Sequence, residues 1–111
     1  MNIRLNYKGK SIILEDIHKV SGLGKILGLM FKQGDKAKAL LFQFSKLTKI
    51  KIHSYFVFFP FLAIWIDSNG KVIEKKIIKP FSASFAPEKP FSKLIEIPLN
   101  EKYLSLVREL S

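Results

Sequence analysis

The amino-acid sequence predicts a mainly β protein, an antiparallel sandwich or barrel folded as a single domain over residues 1–111. Three observations support this fold class: short apolar segments with strand periodicity recur along the chain, turn residues separate them, and no strand–helix–strand alternation appears. We expect about seven short strands. Two short helices are also predicted, one near residues 21–31 and one near residues 100–110.

The first 16 residues predict a β-hairpin. Ile3, Leu5 and Tyr7 alternate with polar residues, which is the period of a half-buried strand. The sequence Lys8-Gly9-Lys10 supplies a turn, and the apolar residues that follow it form the return strand.

A short helix is predicted after Ser21, which is a suitable N-cap. One helical face is apolar and consists of Leu23, Ile26, Leu27 and Met30. Three glycines weaken this helix, since each costs up to about 1 kcal/mol relative to Ala. The helix therefore needs packing against the sheet to persist.

The chain is organised around residues 50–79, which contain the densest apolar run and the only Trp. We predict a strand, a break at Pro60, a second strand, a turn at Ser68-Asn69-Gly70 and a third strand over residues 71–79. A strand at residues 39–44 and a basic connector at residues 46–51 precede this region. A membrane-spanning helix needs about 20 apolar residues, and Pro60 interrupts any helix here, so both helical alternatives are disfavoured.

The C-terminal part begins with a proline-rich loop, residues 80–91. We expect Phe81, Phe85 and Phe91 to hold this loop against the body of the protein. A last strand follows at residues 93–98, and Asn100 is predicted to cap the terminal helix. One face of that helix is apolar and consists of Tyr103, Leu106, Val107 and Leu110.

The net charge is +10, and the first half of the chain carries most of it. Such a charge attracts nucleic acids and acidic membranes, but it also keeps a small apolar domain soluble. The sequence contains no cysteine, which excludes disulfides and thiolate chemistry and fits a reducing compartment. The N-terminus does not have the pattern of a secretory signal, so we expect a cytoplasmic protein.

Sequence motifs give little support to an enzyme. The glycines at residues 22–28 have the spacing G-x-G-x-x-x-G, which matches neither a dinucleotide-binding loop nor a P-loop. The two histidines, His18 and His53, lack metal-ligand spacing, and we expect no metal and no cofactor. The carboxylates are interpreted as turn residues (Asp35, Asp67, Glu88) or as residues of solvated faces (Glu74, Glu96, Glu101).

The candidate ligand-binding residues lie in phase on one segment: Lys49, Lys51, His53 and Tyr55. His53 is either a hydrogen-bonded residue at the rim of the core or a polar group at the mouth of a pocket. A row of basic and aromatic residues could also bind single-stranded nucleic acid through phosphate contacts and stacking. However, the neighbouring aromatic residues are mainly Phe, a residue type that is usually buried.

Several sequence blocks resemble, in order, the small prokaryotic family catalogued as domain of unknown function one-nine-two. They are GLMFK at residues 28–32, ALLFQF at 39–44, IH at 52–53, FVFFP at 56–60, ID at 66–67, GKV at 70–72, KP at 79–80 and LIEIP at 94–98. The variant with histidine resembles the archaeal members of this family. The resemblance implies a mainly β, jelly-roll-like single domain and no known activity.

The chain also departs from the family pattern. Leu62 stands where the family has an acid, and residues 100–111 replace a glycine-rich ending. The positions that match are Gly28, Met30, His53 and Pro60, and the resemblance implies no role for them.

Three functional hypotheses follow. The first is a non-enzymatic binding module for a small ligand or a protein partner, with a cleft beside His53. The second is a binder of single-stranded DNA or RNA that uses the basic N-terminal half. The third is an enzyme built on a grouping of acids or histidines that the sequence does not reveal.

Overall fold

The computed structural model describes residues 2–20, 37–49, 51, 57–81 and 85–110. Over these ranges the protein is mainly β, as predicted, and its strands form two sheets with no closed barrel. The predicted helix near residues 21–31 lies outside the described residues. In chain order the strands are β1 (Ile3–Tyr7), β2 (Lys10–Leu14), β3 (His18–Val20), β4 (Leu40–Thr48), β5 (Phe61–Ile66), β6 (Val72–Ile78) and β7 (Phe91–Pro98).

The predicted N-terminal hairpin is confirmed. Strands β1 and β2 pair in antiparallel register from Ile3 opposite Leu14 to Tyr7 opposite Lys10. The two residues at the turn, Lys8 and Gly9, have positive φ values of 50° and 75°, as a tight two-residue hairpin turn requires. This hairpin is the smaller of the two sheets.

The second sheet has five strands in the order β3-β4-β7-β5-β6. The pairs β4–β7, β7–β5 and β5–β6 are antiparallel, as predicted. The pair β3–β4 is parallel, so the expectation of a wholly antiparallel architecture was wrong at this edge. Parallel neighbours require a crossover of about a dozen residues or more, and the chain between Val20 and Leu40 is long enough to provide it.

The predicted turn between β5 and β6 is confirmed. The Asp67 carboxylate accepts hydrogen bonds from the backbone N–H groups of Asn69 (2.9 Å) and Lys71 (3.0 Å). Gly70 has a φ of 82°, which a residue without Cβ adopts at low cost. The Gly70 carbonyl also accepts a hydrogen bond from the Asn6 N–H (3.1 Å), which ties the hairpin to this turn.

Two local predictions were wrong. Strand β4 continues to Thr48 through the expected basic connector, with a shift of register against β7 after Gln43. Residues 57–60 are not a strand, and residues 52–56 of the strand predicted there lie outside the described residues. Pro60 has no N–H to contribute to a ladder, although its carbonyl accepts a hydrogen bond from the Leu99 N–H (3.1 Å).

The C-terminal helix is confirmed as a 3₁₀ turn, Glu101–Tyr103, followed by an α-helix, Leu104–Glu109. Its predicted apolar face is buried in the core or packs against it. Asn100 occupies the N-cap position but makes no side-chain capping hydrogen bond. Its Nδ2 donates instead to the Ala37 carbonyl (3.1 Å), which joins the start of the helix to the segment before β4.

Both faces of the five-stranded sheet are covered. The hairpin face packs against the hairpin and the C-terminal helix. The aromatic face is the opposite one, and it carries Leu40, Phe42, Phe61, Ala63, Trp65 and Leu94 together with Glu96. Strand β5 is buried along its whole length because it has a core on each side, which explains its uninterrupted apolar sequence.

The proline-rich loop is held by its phenylalanines in a different manner from the one expected. Phe91 is buried, but it belongs to β7. Phe85 packs on the Trp65 ring, with a centroid separation of 5.2 Å. Phe81 remains 54% exposed and contacts Phe58, which is itself exposed. Within the described ranges, no helix is long and apolar enough to cross a bilayer.

Candidate functional site

The four residues predicted from the sequence are only partly described. Lys49 and Lys51 are exposed where the chain leaves β4. His53 and Tyr55 lie outside the described residues. The convergence of these four side chains on one site therefore stays a prediction.

The aromatic face contains an acidic residue, Glu96, that was predicted from the sequence to face solvent. Glu96 is only 6% exposed, so the interpretation of this residue as part of a solvated face was wrong. It lies on the central strand β7, directly opposite Leu40 of β4 and Ala63 of β5. Its side chain is buried because the strands on both sides and the layers above and below exclude water.

Burial raises the pKa of Glu96 to about 8. Desolvation disfavours the charged carboxylate, and no described basic residue forms an ion pair that would offset this effect. Glu96 is therefore mainly protonated at neutral pH. In this form the carboxyl group can both donate and accept a hydrogen bond.

The second polar group of the aromatic face is the indole N–H of Trp65. The Trp65 side chain is fully buried, and its Nε1 has no hydrogen-bond partner within the part of the chain that the structure describes. Trp65 pairs with Leu94 while Ala63 pairs with Glu96, so Trp65 and Glu96 are diagonal neighbours on one face. Such positions lie about 7–8 Å apart in an antiparallel sheet.

Aromatic rings surround the Trp65 end of this site. The Trp65 ring lies 5.2 Å from Phe85 and 6.5 Å from Phe91, measured between ring centroids. The Lys76 ammonium lies 3.9 Å from the centroid of Phe85. An ammonium at this position is attracted to the face of the ring, so the aromatic cluster already holds one cation.

One cross-strand row connects Glu96 to both edges of the sheet. The row runs through His18, Leu40, Glu96, Ala63 and Lys76, one residue from each strand. Its two ends are exposed and its middle is buried. Between Glu96 and the edge strand β6, the row carries only the small side chain of Ala63.

Sequence reasoning missed Glu96 although a signal was present. The acid is enclosed by Leu94, Ile95 and Ile97, and a strand with apolar residues on both faces is typical of a central position. Alternation alone suggested that Glu96 faces water. Only the two cores, one on each side of the sheet, show that neither face of β7 does.

A basic cluster lies beside the hairpin turn. Lys8 and Lys75 approach the Tyr7 ring, with distances of 5.2 Å and 5.0 Å from each Nζ to the ring centroid. A hydrogen bond from Lys75, supported by Lys8, lowers the pKa of the Tyr7 hydroxyl. Lys75 also donates to the Leu110 carbonyl, which connects this cluster to the C-terminal end.

Two shallow clefts open elsewhere on the surface. One, of about 440 Å³, lies beside the β5–β6 turn and is lined partly by Lys71 and Lys89. The other, of about 350 Å³, lies between the hairpin and the C-terminal helix, where Lys102 forms an ion pair of 2.5 Å with Asp16. Among the described residues, no group of three potential metal ligands is present.

Comparison with solved structures identifies two similar folds. A protein of unknown function from Novosphingobium aromaticivorans superposes with a TM-score of 0.70 at 14% identity, covering 96% of this chain and 77% of the other. A protein from Sinorhizobium meliloti, described as a candidate transcription regulator, superposes with a TM-score of 0.74 at 17% identity, covering 99% of this chain and 85% of the other. At these identities the likeness concerns the fold alone.

Comparison of the sequence with curated proteins gives no match. The family described as DUF192, Uncharacterized ACR, matches residues 21–102. This range contains the aromatic face and most of the hairpin face, and it agrees with the resemblance seen in the sequence. The chain therefore belongs to the DUF192 family.

Proposed function

We propose that this protein is a non-enzymatic binding module for a small ligand, which it binds on the aromatic face of its sheet. One observation carries the proposal: Glu96 is buried with no described ion pair, and on the same face the Trp65 N–H is buried without a described hydrogen-bond partner. A buried polar group without a partner costs about 1–3 kcal/mol. A ligand that pairs with both groups removes this cost.

The surroundings of this face support the same location. Val57, Phe59 and Phe85 pack against it, and Val57 and Phe59 follow closely in the sequence after the segment that carries the predicted site. We propose that Lys49, Lys51, His53 and Tyr55 line the entrance to the ligand. A protein partner in place of a small ligand would find few polar groups to pair with on so enclosed a face.

The finer features of the fold and setting are also proposals. We propose that residues 1–111 form one domain. We also propose that its fold is a jelly-roll-like sandwich, as the family resemblance implies, and that the protein is an archaeal-type member of the family. A sequence without cysteine supports a cytoplasmic setting.

The test uses the indole N–H resonance of Trp65, which is unambiguous because the chain has a single Trp. A set of cationic, neutral and anionic small molecules is titrated into the protein and followed by NMR. We expect at least one class to shift this resonance to saturation, and E96Q to abolish the shift. E74Q is the matched control, since Glu74 lies opposite Trp65 but is only half-buried at the edge of the sheet. A resonance that no compound moves would refute the proposal.

A second candidate function is the binding of single-stranded nucleic acid. It is supported by the net charge of +10 and by the convergence of Lys8 and Lys75 on Tyr7. The description of the Sinorhizobium protein as a candidate transcription regulator is in line with it. The test is a gel shift with a single-stranded oligonucleotide, in which the affinity falls steeply with salt and K8E/K75E weakens it. No shift at low salt would exclude this function.

A further inference from the structure

We propose that the ligand of the aromatic face is a small organic ammonium that also carries a hydrogen-bond acceptor. This inference rests on the proposed small-ligand function and adds the chemical class of the ligand. It follows from three features of the site: an acid without a cation, a donor without an acceptor, and aromatic rings that already hold an ammonium.

The acid defines the charge of the ligand. Among the described residues, Glu96 is the one buried carboxylate. The protein has 10 more basic than acidic residues, yet no described basic residue forms an ion pair with Glu96. A cation placed beside Glu96 would stabilise the carboxylate form. The carboxylate form would repel an anionic ligand, so an anion could bind only while Glu96 is protonated.

The indole defines the second group of the ligand. The Trp65 Nε1 is a donor only, so it requires an acceptor such as a hydroxyl or a carbonyl oxygen. Glu96 and Trp65 are diagonal neighbours on adjacent strands. A ligand with its ammonium and its acceptor two or three bonds apart can therefore reach both residues at once.

The aromatic rings favour an ammonium over other cations. Lys76 places its own ammonium 3.9 Å from the Phe85 ring centroid, and Phe85 packs on Trp65. Rings and a carboxylate together provide the environment in which proteins bind organic ammonium groups. In the same row, only Ala63 lies between Glu96 and the exposed edge strand that carries Lys76.

Binding of an ammonium is coupled to the ionisation of Glu96. Since burial keeps this acid protonated up to about pH 8, ligand binding at lower pH releases a proton to solvent. The affinity should therefore rise about tenfold per pH unit between about pH 6 and pH 8. Among the described strand residues, the other titratable or charged groups on this face are His18, Glu74 and Lys76.

The experiment compares three probes of similar size: ethanolamine, which is a cation, 1-propanol, which is neutral, and glycolate, which is an anion. Each is titrated against the Trp65 indole resonance at several pH values. We expect ethanolamine to bind at least about tenfold more tightly than the other two, as a charge-assisted hydrogen bond predicts. Its affinity should increase with pH in the native protein.

Variants assign the effect to Glu96. E96Q resembles the protonated acid in shape, so the fold is expected to persist, and its amide spectrum verifies this. E96Q should bind ethanolamine at least about tenfold more weakly and without the pH dependence. H18N and K76M should keep the pH dependence of binding, because they change the two ends of the cross-strand row and leave Glu96 in place.

The outcomes separate the two proposals. If 1-propanol or glycolate binds as tightly as ethanolamine, the ammonium inference is wrong and the small-ligand function stands. The inference is equally wrong if ethanolamine binds native protein and E96Q alike. If neither these probes nor the wider set of compounds moves the Trp65 resonance, the ligand class and the function both fail.

Discussion

The two faces of the five-stranded sheet differ in how they treat polar groups. On the hairpin face the buried residues are apolar apart from Tyr103, whose hydroxyl accepts a hydrogen bond from the Ala39 N–H (2.8 Å). On the aromatic face Glu96 is buried without a described ion pair, and the Trp65 indole N–H is buried without a described hydrogen-bond partner. The hairpin face therefore pairs its buried hydroxyl, whereas the aromatic face leaves a buried N–H unpaired among the described residues, which lowers stability.

The two faces of the sheet also differ in the elements that cover them. The hairpin face is closed by elements that the sequence places at the two ends of the described chain, the hairpin and the C-terminal helix. On the aromatic face, the described residues that pack from outside the sheet are single loop residues, such as Val57, Phe59 and Phe85. Loops vary and move more readily than packed strands and helices, so a binding site is expected on the second face.

The largest expected effect is a loss of stability on the hairpin face. Leu14 is fully buried between the hairpin and the sheet, and L14A should lower the free energy of unfolding by about 3–5 kcal/mol. Ile13, its neighbour in β2, is 51% exposed and provides the control, since I13A should cost less than about 1 kcal/mol. Urea unfolding measures both. Equal losses would mean that the hairpin does not cover this face in solution.

The next effect concerns Glu96 and depends on pH. Its pKa is raised from 4.5 to about 8, so the unfolded state loses its proton first and the folded state loses stability as the pH rises between these values. From about pH 5 to pH 8, the native protein should lose on the order of 3 kcal/mol relative to E96Q, and above pH 8 the difference should level off. Urea unfolding of both proteins across this range measures it. A constant difference would show that Glu96 is solvated or paired.

Much of the fold could be predicted from local sequence. The hairpin, the strand–turn–strand at β5 and β6 and the C-terminal helix follow from periodicity, from positive-φ turn residues such as Gly9 and Gly70, and from an apolar helical face. These features depend on residues that are close in the sequence. The end of β4 depends on pairing with distant residues and was predicted wrongly, as was strand structure at residues 57–60.

The candidate site could not be predicted in the same way. The burial of Glu96 is decided by the position of β7 between β4 and β5, which no local pattern specifies. The sequence drew attention to His53 because it lies in phase with basic and aromatic residues at the start of the apolar run, whereas Glu96 was interpreted as part of a solvated face. A buried acid is a property of the sheet order, so it appears only when the strands are placed.

A smaller effect is expected when the hydrogen bond from the Ala39 N–H to the Tyr103 hydroxyl is removed from the hairpin face. Y103F leaves the buried Ala39 N–H without its acceptor and should lower stability by about 1–3 kcal/mol. Y7F is the control, since the Tyr7 hydroxyl is reached by water and its loss should matter less. Thermal unfolding of the two variants measures the contrast. If Y103F is as stable as the native protein, a water molecule replaces the lost acceptor.

The smallest effect concerns the ammonium that the aromatic face already holds. K76M keeps the length of the side chain and removes the charge 3.9 Å from the Phe85 ring centroid, so it should cost about 0.5–1 kcal/mol. K46M changes an exposed lysine of strand β4 and is the matched control. If the rings of the aromatic face favour cations, K76M should lose more stability than K46M, and added ethanolamine should stabilise K76M more than it stabilises the native protein. Equal behaviour of the two variants would mean that the rings contribute only apolar surface, and the charge preference of the site would then rest on Glu96 alone.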